Sequence, residues 1–516
     1  MKLRKTMALL LAGCMAMSLC AGCAVKEKAY VPTGNALVLE DDSTVATTAP
    51  KEEEPQSLTL AFYPDRSMNP ITCGDFTNRT LFSLIYQGLF SVDREYQVEP
   101  MLCKQYSMSP DMKEYTFYLE NATFSDGSPV TDTDVVASLQ AARETGYYQG
   151  RFTHVTEVAV GENGGVVVKL DTPYENLPIL LDIPIVKAGQ LDAEYPVGTG
   201  PYVFERGNGG ARLRRRAGWW CSADMTVTAE VVLLVEATSP AQIRDEFEFG
   251  GVDLVCANPA SDTFADYRCD YELWDCENGT FLYLGCNMDS PVFSDATVRA
   301  ALTYAIDRDT LVESFYRGFG RSACLPASPQ SPYYSTSLAE KYRYDGVKFV
   351  EALNAAGKQD AGIILMVNKD DSLRLRVARR IGQMLTDCGL QVEMKEVDTA
   401  TYKESLYYRS YDLYLGQTRL SANMDLSAFL YTWGDLSYGH MEDNTLYALC
   451  LESLANSGNY YSLHKQLMDD GRLCPVLFCG YAVYATRGAL TELEPARDNV
   501  FYYSIGKTME DALMTQ

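Results

Sequence analysis

Three segments between residues 361 and 397 follow one another with almost nothing between them: AGIILMV (361–367), SLRLRVARRIGQMLTDCG (372–389) and LQVEMKEV (390–397). The first and last read as strands and the middle one as a helix that Gly389 ends. YDLYLGQ (411–417) supplies a further strand. A chain that alternates strand and helix in this way predicts an α/β lobe, with helices laid on a sheet.

The same patterning recurs elsewhere. SLTLAFY (57–63) and EYTFYLE (114–120) alternate as strands, and GTFLYLGCNM (279–288) and CPVLFCGYAVYATR are apolar strand-rich runs. Between them, the spacing predicts a helix through DFTNRTLFSLIYQGLF that ends at Gly88. Asp126-Gly127 marks a turn, and Thr131 with Asp134 forms a capping-box pattern for the next helix. Ser294 is expected to cap DATVRAALTYAID, and RDTLVESFYRG continues as a second short helix. YVFER, GNGG and ARLRRR read as a hairpin. The GTGPY before it lacks the Lys-Ser/Thr of a phosphate loop and reads as a turn.

Length now matters. Residues 57–516 are too many for one ordinary domain, and a hydrophobic content of 47% can fill large cores. The first residues are of another kind. Lys2, Arg4 and Lys5 precede an apolar run from Met7 to Cys20, which is a signal-peptide pattern rather than a membrane span. Two cysteines follow Ala-Gly. Cys14 would leave only about four apolar residues before it, so Cys23 is the expected lipid-attachment site, with residues 1–22 as signal peptide. Residues 23–56 are polar and aperiodic and read as a disordered tether, reaching roughly 30 Å as a flexible coil.

Charge and composition exclude several functions. The net charge is −25, and −28 once the first 22 residues, with three cations and no acids, are removed. Such a surface argues against nucleic acid and against electrostatic docking to anionic lipid. The fifteen cysteines are scattered, with no CxxC or Cys/His spacing for zinc, and read as buried thiols or occasional disulfides. Only three histidines exist, and no GxSxG, P-loop or HExxH is present. The sequence therefore points to binding rather than catalysis, with no cofactor and no metal.

MNPIT, LIYQGLF, YTFYLENATFSDGSPVTDTDVVASL, VGTGPY, NMDSPVFSDATVRAALTYAIDRDTLV and NVFYY, in this order, resemble the extracellular solute-binding proteins of family 5. These are the oligopeptide, dipeptide and nickel receptors of ABC importers. The resemblance covers nearly all of residues 57–507 and is carried most specifically by FSDGSPVTDTDV and VRAALTYAIDRD. It implies a two-lobed periplasmic-binding-protein-like α/β fold. Lobe one would be discontinuous (57–90, 188–275 and 487–512), with a subdomain (91–187) inserted in it, and lobe two would span 276–486. It further implies ligand enclosed by lobe closure, recognition by an ABC permease, and a monomer lipid-anchored to the outer face of the cytoplasmic membrane.

The resemblance also bears on the site. In peptide-binding relatives an acidic residue captures the peptide's amino terminus within a stretch that matches GQTRLSANMDLSAFLYTW. Counting back from Phe429-Leu430, that acid falls on Ala422, the second acid on Asp425 and the family tryptophan near Arg419. The standard amine anchor is therefore missing. Arg419 could meet a carboxylate or other anion, or stand exposed on a loop. Asp425 could bind an amine, but a helix cap is the preferred reading. Asn423 belongs to the same stretch, and Trp433, which follows it, is the preferred aromatic candidate. Asn69 borders the cleft in the family pattern, with loop-turn duty as the competing role. Asn368, with Asp370 and Asp371, follows a strand end, a usual ligand position in α/β lobes. A solvated loop is the plainer alternative there. Trp219 and Trp220 are assigned to the hairpin. The expectation is a receptor for short peptides. A non-peptide solute such as a sugar, metal chelate or modified amino acid is the alternative, and a surface hydrolase or a permease-free signalling receptor is a more distant one.

Overall fold

In the computed structural model, which describes residues 58–221, 229–261, 264, 266–490 and 493–501, the strand–helix–strand unit is formed by Gly362–Asn368, Ser372–Asp387 and Gln391–Val397. The two strands are parallel, in register from Gly362↔Gln391 to Asn368↔Val397. The helix begins where the Asp371 carboxylate accepts the Arg374 N–H (2.9 Å). It buries Leu373, Val377, Ile381, Met384 and Leu385 on one stripe. Each such side chain, fully buried, contributes roughly 1.5–3 kcal/mol. Gly389, at φ +98°, turns the chain out of the helix, and a Cβ there would run into the Gln359 amide.

Leu413–Arg419 lies parallel to Gly362–Asn368 on its other side and antiparallel to Tyr271–Cys286. From there the sheet runs through Leu473–Thr486, Leu254–Ala257, Leu58–Phe62 and Val231–Glu236 to the hairpin Gly210–Arg215 and Tyr202–Gly207. Two strands are unusually long: Tyr271–Cys286 has 16 residues and Leu473–Thr486 has 14. They pair antiparallel along most of their length, and the register shifts between Glu277 and Phe281. On one side of the shift the pair continues into Leu254–Ala257. On the other it continues into Leu413–Arg419. Separate cores flank the two halves, one around Leu60, Val232 and Val483 and the other around Leu284, Leu365 and Leu385. The fold is α/β and two-lobed, and each of these two strands borders both cores.

A second, four-stranded antiparallel sheet is built from Cys103–Met108, Glu114–Leu119, Val166–Leu170 and Val155–Val160. The helix Asp132–Arg143 covers it and starts with the capping box: the Thr131 hydroxyl accepts the Asp134 N–H, and the Asp134 carboxylate accepts the Thr131 N–H (2.9 Å). Val135, Leu139 and Ala142 pack towards Tyr115, Phe117 and Val168. The same buried cluster continues through Leu420, Met424, Phe429 and Tyr460. This layer therefore shares its core with the segment that follows strand Leu413–Arg419.

Three local expectations are corrected. The stretch 75–88 holds two short helices, Phe76–Arg79 and Phe82–Ile85. Between them the Thr80 hydroxyl donates back to the Thr77 carbonyl (2.7 Å) and its N–H bonds the same oxygen (3.2 Å), which tightens and bends the chain. Asp295, not Ser294, caps helix Ala296–Ala301, because its carboxylate accepts the Thr297 N–H (2.8 Å). The strand expected over 279–288 reaches back to Tyr271, since pairing with Leu473–Thr486 carries it past the register shift. The twelve cysteines among the described residues are free thiols, nine of them buried. The expected signal peptide and tether, with Cys14 and Cys23, lie outside the described residues.

Candidate functional site

Strand Leu413–Arg419 ends opposite Thr280, inside the register shift of the long strand pair. Arg419 therefore emerges where the long strand pair changes register. Its guanidinium lies 4.0 Å from the centre of the Tyr147 ring and hydrogen-bonds the Asp498 carboxylate. The other cation on Tyr147 is Arg79, at 3.6 Å. The Tyr147 hydroxyl donates to Asp498 (2.9 Å). Arg151 contacts Asp498 at 3.1 Å and also pairs with Asp182. Arg497 Nε lies 3.6 Å from Asp498. Burial alone would raise the Asp498 carboxyl, but Arg419, Arg151 and Arg497 hold it well below the usual carboxylate range. Two distant stretches, 147–151 and the end of strand Leu413–Arg419, thus converge on Asp498 beside its neighbour Arg497.

A cavity of about 630 Å³ opens beside this cluster. Arg143, Gln149 and Phe152 line it from the stretch within the four-stranded layer, and Arg419, Asp425 and Trp433 from the end of strand Leu413–Arg419 and the segment after it. That volume is in the range of ligand clefts. Trp433 is 81% exposed, which leaves its ring free to cover an occupant.

Asp425 has two duties. Its carboxylate accepts the Ser427 N–H and hydroxyl, each at 2.8 Å, at the start of the short helix Ser427–Leu430. It also lies 3.2 Å from His154 Nε2, while His154 Nδ1 contacts Asp171 at 3.0 Å. Burial opposes charge on His154, but the two carboxylates prevail and its pKa is raised. Burial likewise opposes charge on Asp425, and His154 with the Ser427 donors keeps its pKa lowered. The result is an ion pair joining the four-stranded layer to the segment after strand Leu413–Arg419.

The remaining candidates stand elsewhere. Asn423 is 3% exposed: its side-chain oxygen accepts the Asp425 N–H (3.3 Å) and its carbonyl accepts the Tyr460 hydroxyl. Asn69 is 1% exposed and donates to the Leu191 and Ala193 carbonyls (2.7 and 3.0 Å), which fixes a loop. Asn368 donates to Thr399 Oγ1 (2.9 Å) and accepts the Asp370 N–H (2.9 Å). Asp370 in turn receives the Thr399 N–H, and Asp371 caps its helix. These residues tie loops together and do not line the cavity. Ala422, which the sequence resemblance matches to the amine-binding acid, is 9% exposed. Trp219 and Trp220 both donate to the Thr199 carbonyl (2.8 and 3.1 Å), beside the hairpin.

His154, Tyr147, Arg79, Arg151 and Asp498 were not singled out from the sequence. Their partners are far away along the chain, and no local spacing joins them. Only the tyrosine-rich GYYQGRF stretch carried a signal, an aromatic pair beside an arginine. Among the described residues no group of three His, Cys, Asp or Glu side chains could hold a metal ion.

The family model for the bacterial extracellular solute-binding proteins, family 5, matches residues 97–439. An ABC transporter peptide-binding protein of Brucella ovis is 26% identical over 340 residues. That match covers 59% of this chain and spans 62% of the length of the relative. The glutathione-binding protein GsiB of Escherichia coli K12 is 25% identical over 364 residues, 64% of this chain and 67% of the relative. Among solved structures, the periplasmic binding protein AgaA of Agrobacterium tumefaciens in complex with agropinic acid superposes with a TM-score of 0.62 at 21% identity, covering 87% of this chain and 99% of that one.

Proposed function

The chain belongs to the bacterial extracellular solute-binding proteins of family 5, and from that premise we propose that it is the substrate-binding receptor of an ABC importer, taking short peptides by closure of its two lobes. The observation that carries this reading is the shared cavity. Arg419, Asp425 and Trp433 face Arg143, Gln149 and Phe152 across it. Two of its lining residues pair with distant segments, Arg419 with Asp498 and Asp425 with His154. A solute that touches both walls only when they approach shifts the protein towards the closed form. Relatives named for binding peptides and glutathione support a peptide-class ligand.

The division into lobes follows the sheet. We place the hinge at the register shift between Glu277 and Phe281, where Gly279 adopts φ +73°. Lipid attachment at Cys23, with the following segment as a tether, would confine the receptor near its permease and raise its effective concentration there. In this reading the protein is a monomer on the outer face of the cytoplasmic membrane and performs no catalysis.

A second reading, a non-peptide carboxylic solute, is favoured by one residue. Position 422 is a buried alanine where peptide-binding relatives carry their amine-capturing acid. The neighbour that holds agropinic acid supports it. A thermal-shift panel decides between the two. A short peptide at 100 times its Kd should stabilise the protein by about 2.7 kcal/mol. A broad peptide library without any shift, alongside a shift from another solute class, would select the second reading.

A further inference from the structure

Beside Asp498 lies a small chamber of about 40 Å³ lined by Arg79, Gln87, Tyr148, Arg151, Asp182 and Asp498. Four guanidiniums converge on it or on Asp498: Arg79, Arg151, Arg419 and Arg497. Two carboxylates face them, Asp182 and Asp498. Arg79 makes no ion pair with a carboxylate among the described residues. Its nitrogens reach the Cys73 carbonyl (3.0 Å) and the Tyr148 hydroxyl (3.0 Å). Arg497 is 9% exposed, and its Nε and Nη1 are buried without a hydrogen-bond partner. Gln87 is 3% exposed; its oxygen accepts the Trp220 indole (3.0 Å), while its Nε2 has no partner. Glu277 lies near Arg497, but its two oxygens are taken by Tyr96 and Ser328. Even with Glu277 ionised, the cluster keeps one positive charge in excess; without it, two. A buried surplus of positive charge with unpartnered N–H donors is an environment that a second anion completes.

We infer that the Arg79–Arg151–Arg419–Arg497 cluster is the anion subsite of the ligand cleft, and that the ligand carries a carboxylate which this cluster holds alongside Asp498. The chamber is small enough to admit a carboxylate group and not a side chain. Arg419 is the link to the larger cavity: it lines that cavity with Trp433, and its guanidinium meets Asp498, which lines the chamber. The ligand class is then an acidic peptide or another compact polycarboxylate. This rests on the receptor reading above.

The test uses the full chain with five probes at matched ionic strength: the tripeptides Glu-Ala-Glu, Gln-Ala-Gln and Lys-Ala-Lys, citrate, and sodium formate. Glu-Ala-Glu is expected to raise Tm, and Arg79→Gln to weaken that binding at least tenfold. If citrate shifts Tm and no peptide does, the anion subsite stands and the peptide reading falls. If Gln-Ala-Gln or Lys-Ala-Lys binds Arg79→Gln as tightly as the wild type, so that its terminal carboxylate does not use the cluster, and none of Glu-Ala-Glu, citrate and formate binds, the subsite is overturned while the receptor reading stands. Asp498→Asn supplies a second readout that needs no ligand. The variant should lose thermal stability and regain it with formate in a saturable way. No formate effect on it, together with no shift of the wild type by any anionic probe, overturns the inference.

Discussion

Replacing Arg419 by methionine keeps most of the side-chain volume and removes the guanidinium that meets Asp498 and stacks on Tyr147. Breaking a buried pair by deleting one partner costs about 3–5 kcal/mol. Arg419 is partly exposed and Asp498 keeps two other arginines, so a loss nearer 2 kcal/mol is expected, measured as a lowered urea midpoint with an unchanged m-value. His154 sets a pH dependence. Its pKa is raised, so the stability it contributes is fully present below its ordinary value of about 6.5 and fades as pH climbs through the raised one. Asp425 is lowered, so its share is present above the ordinary aspartate value and fades as pH falls through the lowered one. The wild type should therefore exceed His154→Asn in stability most at roughly pH 5 to 6 and least near pH 9. Equal differences at both ends would contradict the ion pair. At this scale the sequence pointed to Arg419 and Trp433, which line the cavity, because they sit in a stretch whose resemblance directs attention to it. It hid His154 and Asp498, because an ion pair between distant segments leaves no periodicity.

Elements were more legible. The unit over 361–397 was readable because an apolar run, an amphipathic stripe and a glycine stop agree with one another. The stretch 75–88 was not, because an apolar stripe does not report that Thr80 bends the chain. The long strand from Tyr271 was half seen: its first residues include Glu272, Asp275 and Glu277 and look unlike a buried strand, yet Leu473–Thr486 pairs with them. Gly279 makes the bulge in that strand possible. It has positive φ, and a Cβ there would stand within 2.6 Å of three atoms of the Arg497 guanidinium. Gly279→Ala should cost at least about 1–2 kcal/mol for the left-handed backbone alone, read by thermal denaturation. A variant as stable as the wild type would show that the bulge relaxes freely.

For the whole molecule, alternation of strands and helices indicates α/β character, while the exchange of chain between lobes came only from the family resemblance. Periodicity cannot report where a chain passes from one core to another, since Tyr271–Cys286 and Leu473–Thr486 each border two cores as unbroken strands. The cavity, the arginine cluster and the His154–Asp425 pair all lie where parts distant in sequence meet, which is where a receptor that closes on a solute needs them. The most direct measurement is mass spectrometry of small molecules released on denaturing the natively purified chain. The account predicts one solute at near-stoichiometric level, bearing a carboxylate, and sharply reduced in a variant that combines Arg419→Met with Trp433→Ala. Chain that releases no solute and instead turns over peptides in pure form would contradict it.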